Sequence, residues 1–131
     1  MDQLIITMPY IGNALSVNHY LGRGHDGHLY VKPEVKAWKQ ALQILYNAQI
    51  HGRQPKMPVQ IHLTAVFKDH RAQTDMNNLH KVIADALQEV IGADDKDFCF
   101  HDNVPFIDSR HDAIISIGIE LEAQHEILDR T

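Results

Sequence analysis

The chain has 131 residues, 44% of them hydrophobic, and 12 Lys/Arg against 17 Asp/Glu give it a formal net charge of −5. That length and apolar share fit one globular domain spanning 1–131 with a core of ordinary size. With no run of eighteen apolar residues, no basic N-terminal region and a single cysteine, Cys99, the expectation excludes a membrane span, a secretory signal and an intrachain disulfide, and favours a reducing, cytoplasmic setting.

Leu4, Ile6 and Met8 alternate with other positions and predict a short first strand that ends at Pro9. Residues 9–31 carry four glycines (Gly12, Gly22, Gly24, Gly27) and read as a long, mobile loop, of the kind that is usually functional or disordered. Pro33 suits the first position of a helix, and Val35, Trp38, Leu42, Leu45 and Gln49 recur at helical steps, which predicts a helix over about 33–50 that stops before Gly52. Val59, Ile61, Leu63, Ala65 and Phe67 alternate with polar residues in a half-buried strand. The second helix buries Leu79, Val82, Ile83, Ala86, Leu87, Val90 and Ile91, and Gly92 closes it. Phe98, Phe100 and Val104 suggest a third strand, and Ala113, Ile115, Ile117, Ile119 and Leu121 a last one, before a polar tail over 123–131 that frays. The element order implies an α/β (α+β) fold: a small mixed sheet of about four strands with two main helices on one face.

Charge is unevenly spread. Residues 20–71 carry eight Lys/Arg against three acids, whereas residues 72–131 carry four against thirteen. A basic half suits a polyanion, and an acidic half suits cations. Asp75 stands at the mouth of the second helix, where free N–H groups and the helix dipole favour negative charge. Asn77 and Asn78 occupy its first turn, Lys81 follows them on the same face by four and three residues, and Asp85 follows Lys81 by four. Asp94 and Asp95 lie just past the helix, and a βαβ-like return is needed to bring them back towards Asp75. Oxygen donors from two chain segments are what a hard divalent cation such as Mg²⁺ requires, and carboxylate-held metal beside a lysine suits phosphodiester hydrolysis. The same residues also admit plainer roles: a cap at Asp75, a turn at Asp94-Asp95, and a surface ion pair between Lys81 and Asp85.

His19, His25 and His28 share the glycine-rich loop with Arg23, where DNA contact is an expectation, and His70 and Arg71 could bind phosphate just before the acidic motif. Lys32, Lys36 and Lys39 read as the solvated face of the first helix, adding only to the sequence-independent attraction for DNA. No Cys/His cluster has zinc-finger spacing.

The run Asp75-Met76-Asn77-Asn78-Leu79-His80-Lys81-Val82-Ile83-Ala84-Asp85-Ala86-Leu87, followed by Asp94-Asp95, resembles the RusA family of Holliday-junction resolvases, which are often prophage-encoded. Met8-Pro9, the segment Ser16-Val17-Asn18-His19-Tyr20, the stretch from Tyr30 to Trp38 and the closing strand resemble the family too, so the likeness covers most of 3–122. It implies a homodimeric, Mg²⁺-dependent endonuclease, with Mn²⁺ able to substitute, that nicks four-way DNA junctions symmetrically in recombination and repair, without a small-molecule cofactor. By position it implies Asp75 and Asp95 as catalytic metal ligands and Lys81 as the contact to the scissile phosphate. Asn77 and Asp94 join the candidate ligands, Asn78 and Asp85 support them, and Asn18, Arg23, His70, Arg71 and Lys81 contact DNA. One departure stands out: Asn77 occupies the place of the family's second aspartate. The amide brings no charge and cannot act as a base, so the alternative is a weakened or inactive junction-binding protein.

Overall fold

The computed structural model describes residues 2–70 and 74–123. Alternation of apolar and polar residues sets the strands. β1 (Gln3–Pro9) buries Leu4, Ile6 and Met8 and exposes the residues between them. β4 (Val59–Phe67) buries every odd position from Val59 to Phe67, and β7 (Ile114–Glu120) buries Ile115, Ile117 and Ile119. These one-sided strands form a mixed sheet in the order β1-β7-β4-β5, in which β7 runs antiparallel to both neighbours and β5 (Phe98–Asp102) runs parallel to β4.

Both helices cover the same face. α1 (Pro33–Ile50) has its proline in the first turn and buries Val35, Trp38, Leu42 and Tyr46. Gln49 is exposed, so the apolar stripe ends with Tyr46 and the partly buried Leu45 and Ile50. The Trp38 indole N–H donates to the Pro9 carbonyl at 2.7 Å, which ties α1 to the end of β1. α2 (His80–Ile91) buries Val82, Ile83, Ala84, Ala86 and Leu87 and ends at Gly92, whose φ of 78° is the left-handed conformation that glycine adopts without penalty. A 3₁₀ turn over Met76–Leu79 precedes it, with Asp75 in extended backbone at the turn's N-cap.

Two expectations change. The glycine-rich stretch 9–31 is not a structureless loop: it contains a 3₁₀ turn at Asn13–Leu15 and an antiparallel hairpin of β2 (Leu21–Arg23) and β3 (Leu29–Val31). Its three-residue strands are too short for an alternation to show. Val104 is not in a strand and is 85% exposed. Pro105 offers no N–H to the β4 edge, so pairing breaks after Asp102 and resumes as β6 (Phe106–Ile107), a fifth short strand beside Val66 and Phe67. The tail from 124 onward lies outside the described residues.

The face of the sheet away from the helices carries a polar network. Glu120 is buried and accepts a hydrogen bond from His62 Nε2 at 2.6 Å, Lys56 Nζ stands 3.7 Å from its other oxygen, and His62 stacks on His101 with ring centroids 4.6 Å apart. The His62 bond is the main reason that the Glu120 carboxyl is held below its usual 4.5, against the opposing effect of burial. A depressed carboxyl contributes stability above its unfolded pKa, and that stability is lost as pH falls through the folded value. The stability of the parent to urea should therefore fall as pH drops below 4.5 by more than that of Glu120→Gln does; equal acid sensitivity in the two proteins would contradict the contact.

Candidate active site

The second helix begins beyond the C-terminal end of β4, runs back across the sheet, and delivers the chain to β5, which pairs in parallel with β4 from Val59↔Phe98 to Leu63↔Asp102. This βαβ return decides which acids can meet. After Gly92, a 3₁₀ turn over Asp95–Asp97 lays Asp95 against the side of α2. Its Oδ1 accepts from Gln88 Nε2 at 2.6 Å, and its Oδ2 stands 3.5 Å from Lys81 Nζ. The same ammonium lies 3.1 Å from Asp85 Oδ1. Lys81, Asp85 and Gln88 fall at i, i+4 and i+7, so one polar stripe of the helix faces Asp95. The bond to Asp85 is the largest of the influences that hold the Lys81 amine above its usual 10.5; partial burial opposes it, and the charges of Asp85, Asp95 and Tyr20 reinforce it.

Asp94 and Asp95, alike in sequence, do different things. Asp94 forms a reciprocal capping box with Asp97: its side chain accepts the Asp97 N–H while the Asp97 carboxylate accepts the Asp94 N–H at 3.2 Å. Asp94 is thereby committed to holding the turn, and Asp95 is the acid that turns to Lys81.

Asp75 is exposed and makes no side-chain cap bond; its carbonyl accepts the Asn78 N–H at 3.0 Å. It precedes Lys81 by six residues, roughly 10 Å along the helix axis at ~1.5–2.0 Å per residue. Asn77 is exposed as well. Asn78 is half-buried, with its side-chain amide 3.5 Å from the Thr74 hydroxyl and its carbonyl accepting the Val17 N–H at 2.9 Å. That last bond fastens the segment of Ser16, Asn18 and Tyr20 to the mouth of α2. Asn18 itself is exposed, as are Arg23, whose guanidinium donates to the Gly27 carbonyl at the tip of the hairpin, and His70. Arg71 lies outside the described residues.

One pair at the site had no signal in sequence. His80 Nε2 lies 2.9 and 2.8 Å from the two oxygens of Asp102, and its ring stacks on Phe100 at 4.0 Å. The pair spans 22 residues, and only the parallel register of β5 brings it together. Gln88 could have been found from its seven-residue step after Lys81.

Among the described residues no three His, Cys, Asp or Glu side chains converge closely enough to hold a metal ion. Magnesium, however, usually takes one or two carboxylates together with water and substrate phosphate rather than an all-protein cage. The ligands expected from sequence, Asp75, Asn77 and Asp95, are all oxygen donors, the chemistry that ion takes.

Set against known families, the chain matches the model described as Endodeoxyribonuclease RusA over residues 13–118, which takes in the hairpin, both helices, the candidate site and nearly all of β7. No curated protein matches the chain.

The ion-pair geometry has a direct check. Asp85→Asn should bring the Lys81 amine down towards 10.5 by more than Asp95→Asn does, because Asp85 supplies both the hydrogen bond and the nearer charge. Titration of the lysine Cε resonance by NMR measures both shifts, and the reverse order would contradict the arrangement described.

Proposed function

The chain belongs to the RusA family of endodeoxyribonucleases, which resolve Holliday junctions, and from that membership we propose that it is a divalent-metal-dependent, homodimeric resolvase cutting four-way DNA junctions by symmetric phosphodiester hydrolysis. The observation that supports this reading most is the Lys81 ammonium set between Asp85 and Asp95 within the family's helix motif. Mg²⁺ is the natural cation for such oxygen donors, and Mn²⁺ can take its place. When bound, the metal would supply an activated water and neutralise charge on the phosphate.

The chain's own residues divide the remaining work. Asp75 and Asp95 would hold the ion, with the Asn77 amide oxygen as a neutral third donor. Asp94, occupied by its capping box, is the weaker candidate of the adjacent pair. Lys81 stays charged across the working pH range, because Asp85 holds its proton on, and it can place that charge on a phosphoryl oxygen as negative charge builds there. Asp85 positions the lysine, Gln88 positions Asp95, and Asn78 fixes the loop that carries Asn18 and Tyr20. Two copies related by a two-fold axis would present equivalent sites to two strands of like polarity.

A second reading rests on Asn77. The motif position holds an uncharged amide, and no three acidic or histidine side chains converge among the described residues. A chain so arranged could bind junctions while cutting them slowly or not at all.

One assay separates the two. A labelled synthetic four-way junction incubated with Mg²⁺ should be nicked symmetrically by the parent under the first reading and only shifted on a gel under the second. Asn77→Asp should raise the nicking rate by ~10²-fold, and Asp75→Asn should lower it by at least ~10²-fold, the scale expected when a charge-stabilising group at the reacting phosphate is gained or lost. Undiminished nicking by Asp75→Asn would remove Asp75 from the site. Absence of both binding and nicking would overturn both readings.

A further inference from the structure

A groove of about 440 Å³ opens between the hairpin and the two helices, lined by Tyr30, Lys36, Lys39, Gln40, Gln43 and Glu89 among others. We infer that it seats one unstacked nucleotide of the branched DNA, with the base on the Tyr30 ring and the flanking phosphates on Lys36 and Lys39. This assignment rests on the junction-nuclease reading above and extends it to a substrate subsite away from the reacting phosphate.

Four observations carry the inference. First, Lys36, Lys39, Gln40 and Gln43 stand at i, i+3, i+4 and i+7 on α1, so they form one continuous stripe along the groove rather than a scatter of solvated side chains. The stripe lies in the basic half of the chain.

Second, Tyr30 lies outside the hydrophobic core and is 48% exposed, yet it has a defined seat. It faces Gly22 across the hairpin, and a Cβ at Gly22 would come within 2.5 Å of the ring. The missing side chain is what lets the tyrosine lie against the opposite strand, leaving an aromatic surface fixed beside two lysines. Single-stranded nucleic acid is held by this combination of an aromatic platform and cations that follow the backbone.

Third, the α2 side of the groove is braced. Gln43 Nε2 donates to the Ala86 carbonyl at 3.0 Å and to Glu89 Oε2 at 2.9 Å, joining the helices and leaving the Gln43 amide oxygen and the second Glu89 oxygen as acceptors. Acceptors at that position suit a base bearing an exocyclic amino group better than thymine.

Fourth, the groove is in register with the candidate active site. Glu89 follows Asp85 by four residues and Lys81 by eight, two helical turns or roughly 12 Å along the axis. At ~3.4 Å per stacked nucleotide, that places the groove three to four nucleotides along a strand whose scissile phosphate lies at Lys81. A four-way junction supplies unpaired or readily unstacked nucleotides near its branch point, whereas continuous duplex does not.

The test compares dissociation constants for a four-way junction carrying 2-aminopurine at the branch point with those for a linear duplex of the same arms, in Ca²⁺ to suppress cutting. Tyr30→Ala should weaken junction binding about tenfold, the loss expected when one base–aromatic stack is removed, while leaving duplex binding unchanged. Tyr30→Phe should bind like the parent, and Gly22→Val, which displaces the ring but keeps the tyrosine, should lose junction affinity as Tyr30→Ala does. Lys36→Ala with Lys39→Ala should reduce the slope of log K against log salt by between one and two, as expected for two phosphate contacts. The inference is overturned if Tyr30→Ala binds the junction as the parent does, if it loses junction and duplex affinity equally, or if Gly22→Val has no effect. Failure of the parent to nick in Mg²⁺ would count against the nuclease reading alone, because these dissociation constants would still decide the subsite. Failure of the parent to bind any junction would overturn both.

Discussion

Residues 59–63 of β4 lie beside residues 98–102 of β5 and run in the same direction, and adjacent strands can pair this way only if the intervening chain crosses back to the starting end. The crossing segment is α2, whose buried stripe of Val82, Ile83, Ala86 and Leu87 packs it on the sheet. A twelve-residue helix spans roughly 18 Å, so the acid before it and the acids after it begin far apart. Asp95 approaches the motif because the turn after Gly92, clamped by the Asp94–Asp97 capping box, folds it back along the helix flank to Gln88 and Lys81. Parallel pairing thus sets the acidic groups apart, and the small turn brings Asp95 back as far as Lys81, six residues after Asp75.

Asp95 is held there in part by charge. Lys81 reaches two carboxylates, but its ammonium and Asp95 are both substantially exposed, at 41% and 60% of their side-chain surfaces. Exposed pairs of this kind contribute ~0–1 kcal/mol and are screened by salt. A contact that weak can yield. A phosphate can draw the lysine away with little loss to the fold. The acidic half of the chain repels a polyanion unless cations intervene, while the basic stripe of α1 attracts one, so on the proposed function DNA would lie with its backbone on α1 and its reacting phosphate at α2.

Sequence periodicity was sufficient for the elements that make the core. The two helices, the central and closing strands and the glycine that ends α2 all carry enough residues at period 2 or 3.6 for one face to declare itself. The hairpin at 21–31 did not, because three residues a side, two of them on exposed faces, leave no pattern to count. Val104 is apolar yet exposed, because Pro105 denies it a strand partner. At the site, the stripe Lys81, Asp85 was legible because helix geometry makes residues four apart neighbours. The distinction between Asp94 and Asp95, the His80–Asp102 pair and the groove beside Tyr30 were not, since each depends on how distant segments register in the sheet or on which side of a turn a carboxylate emerges.

Asn77 is best weighed by what stands near it. In a 3₁₀ turn side chains three apart eclipse, and the His80 N–H donates to the Asn77 carbonyl, so Asn77 and His80 share one side of the chain. His80 in turn meets Asp102, an acid from outside the motif and a candidate substitute for a missing aspartate. Both of its oxygens are taken by His80, whose ring is in turn pinned on Phe100. Freeing Asp102 would break a solvent-accessible contact, a cost of no more than about 1 kcal/mol. In the structure Asp102 is held by His80, and the proposed ligand set is two carboxylates and an amide. That shortage would bear on the chemical step more than on junction binding, because the contacts inferred for Lys36, Lys39 and Tyr30 do not involve the proposed metal ligands.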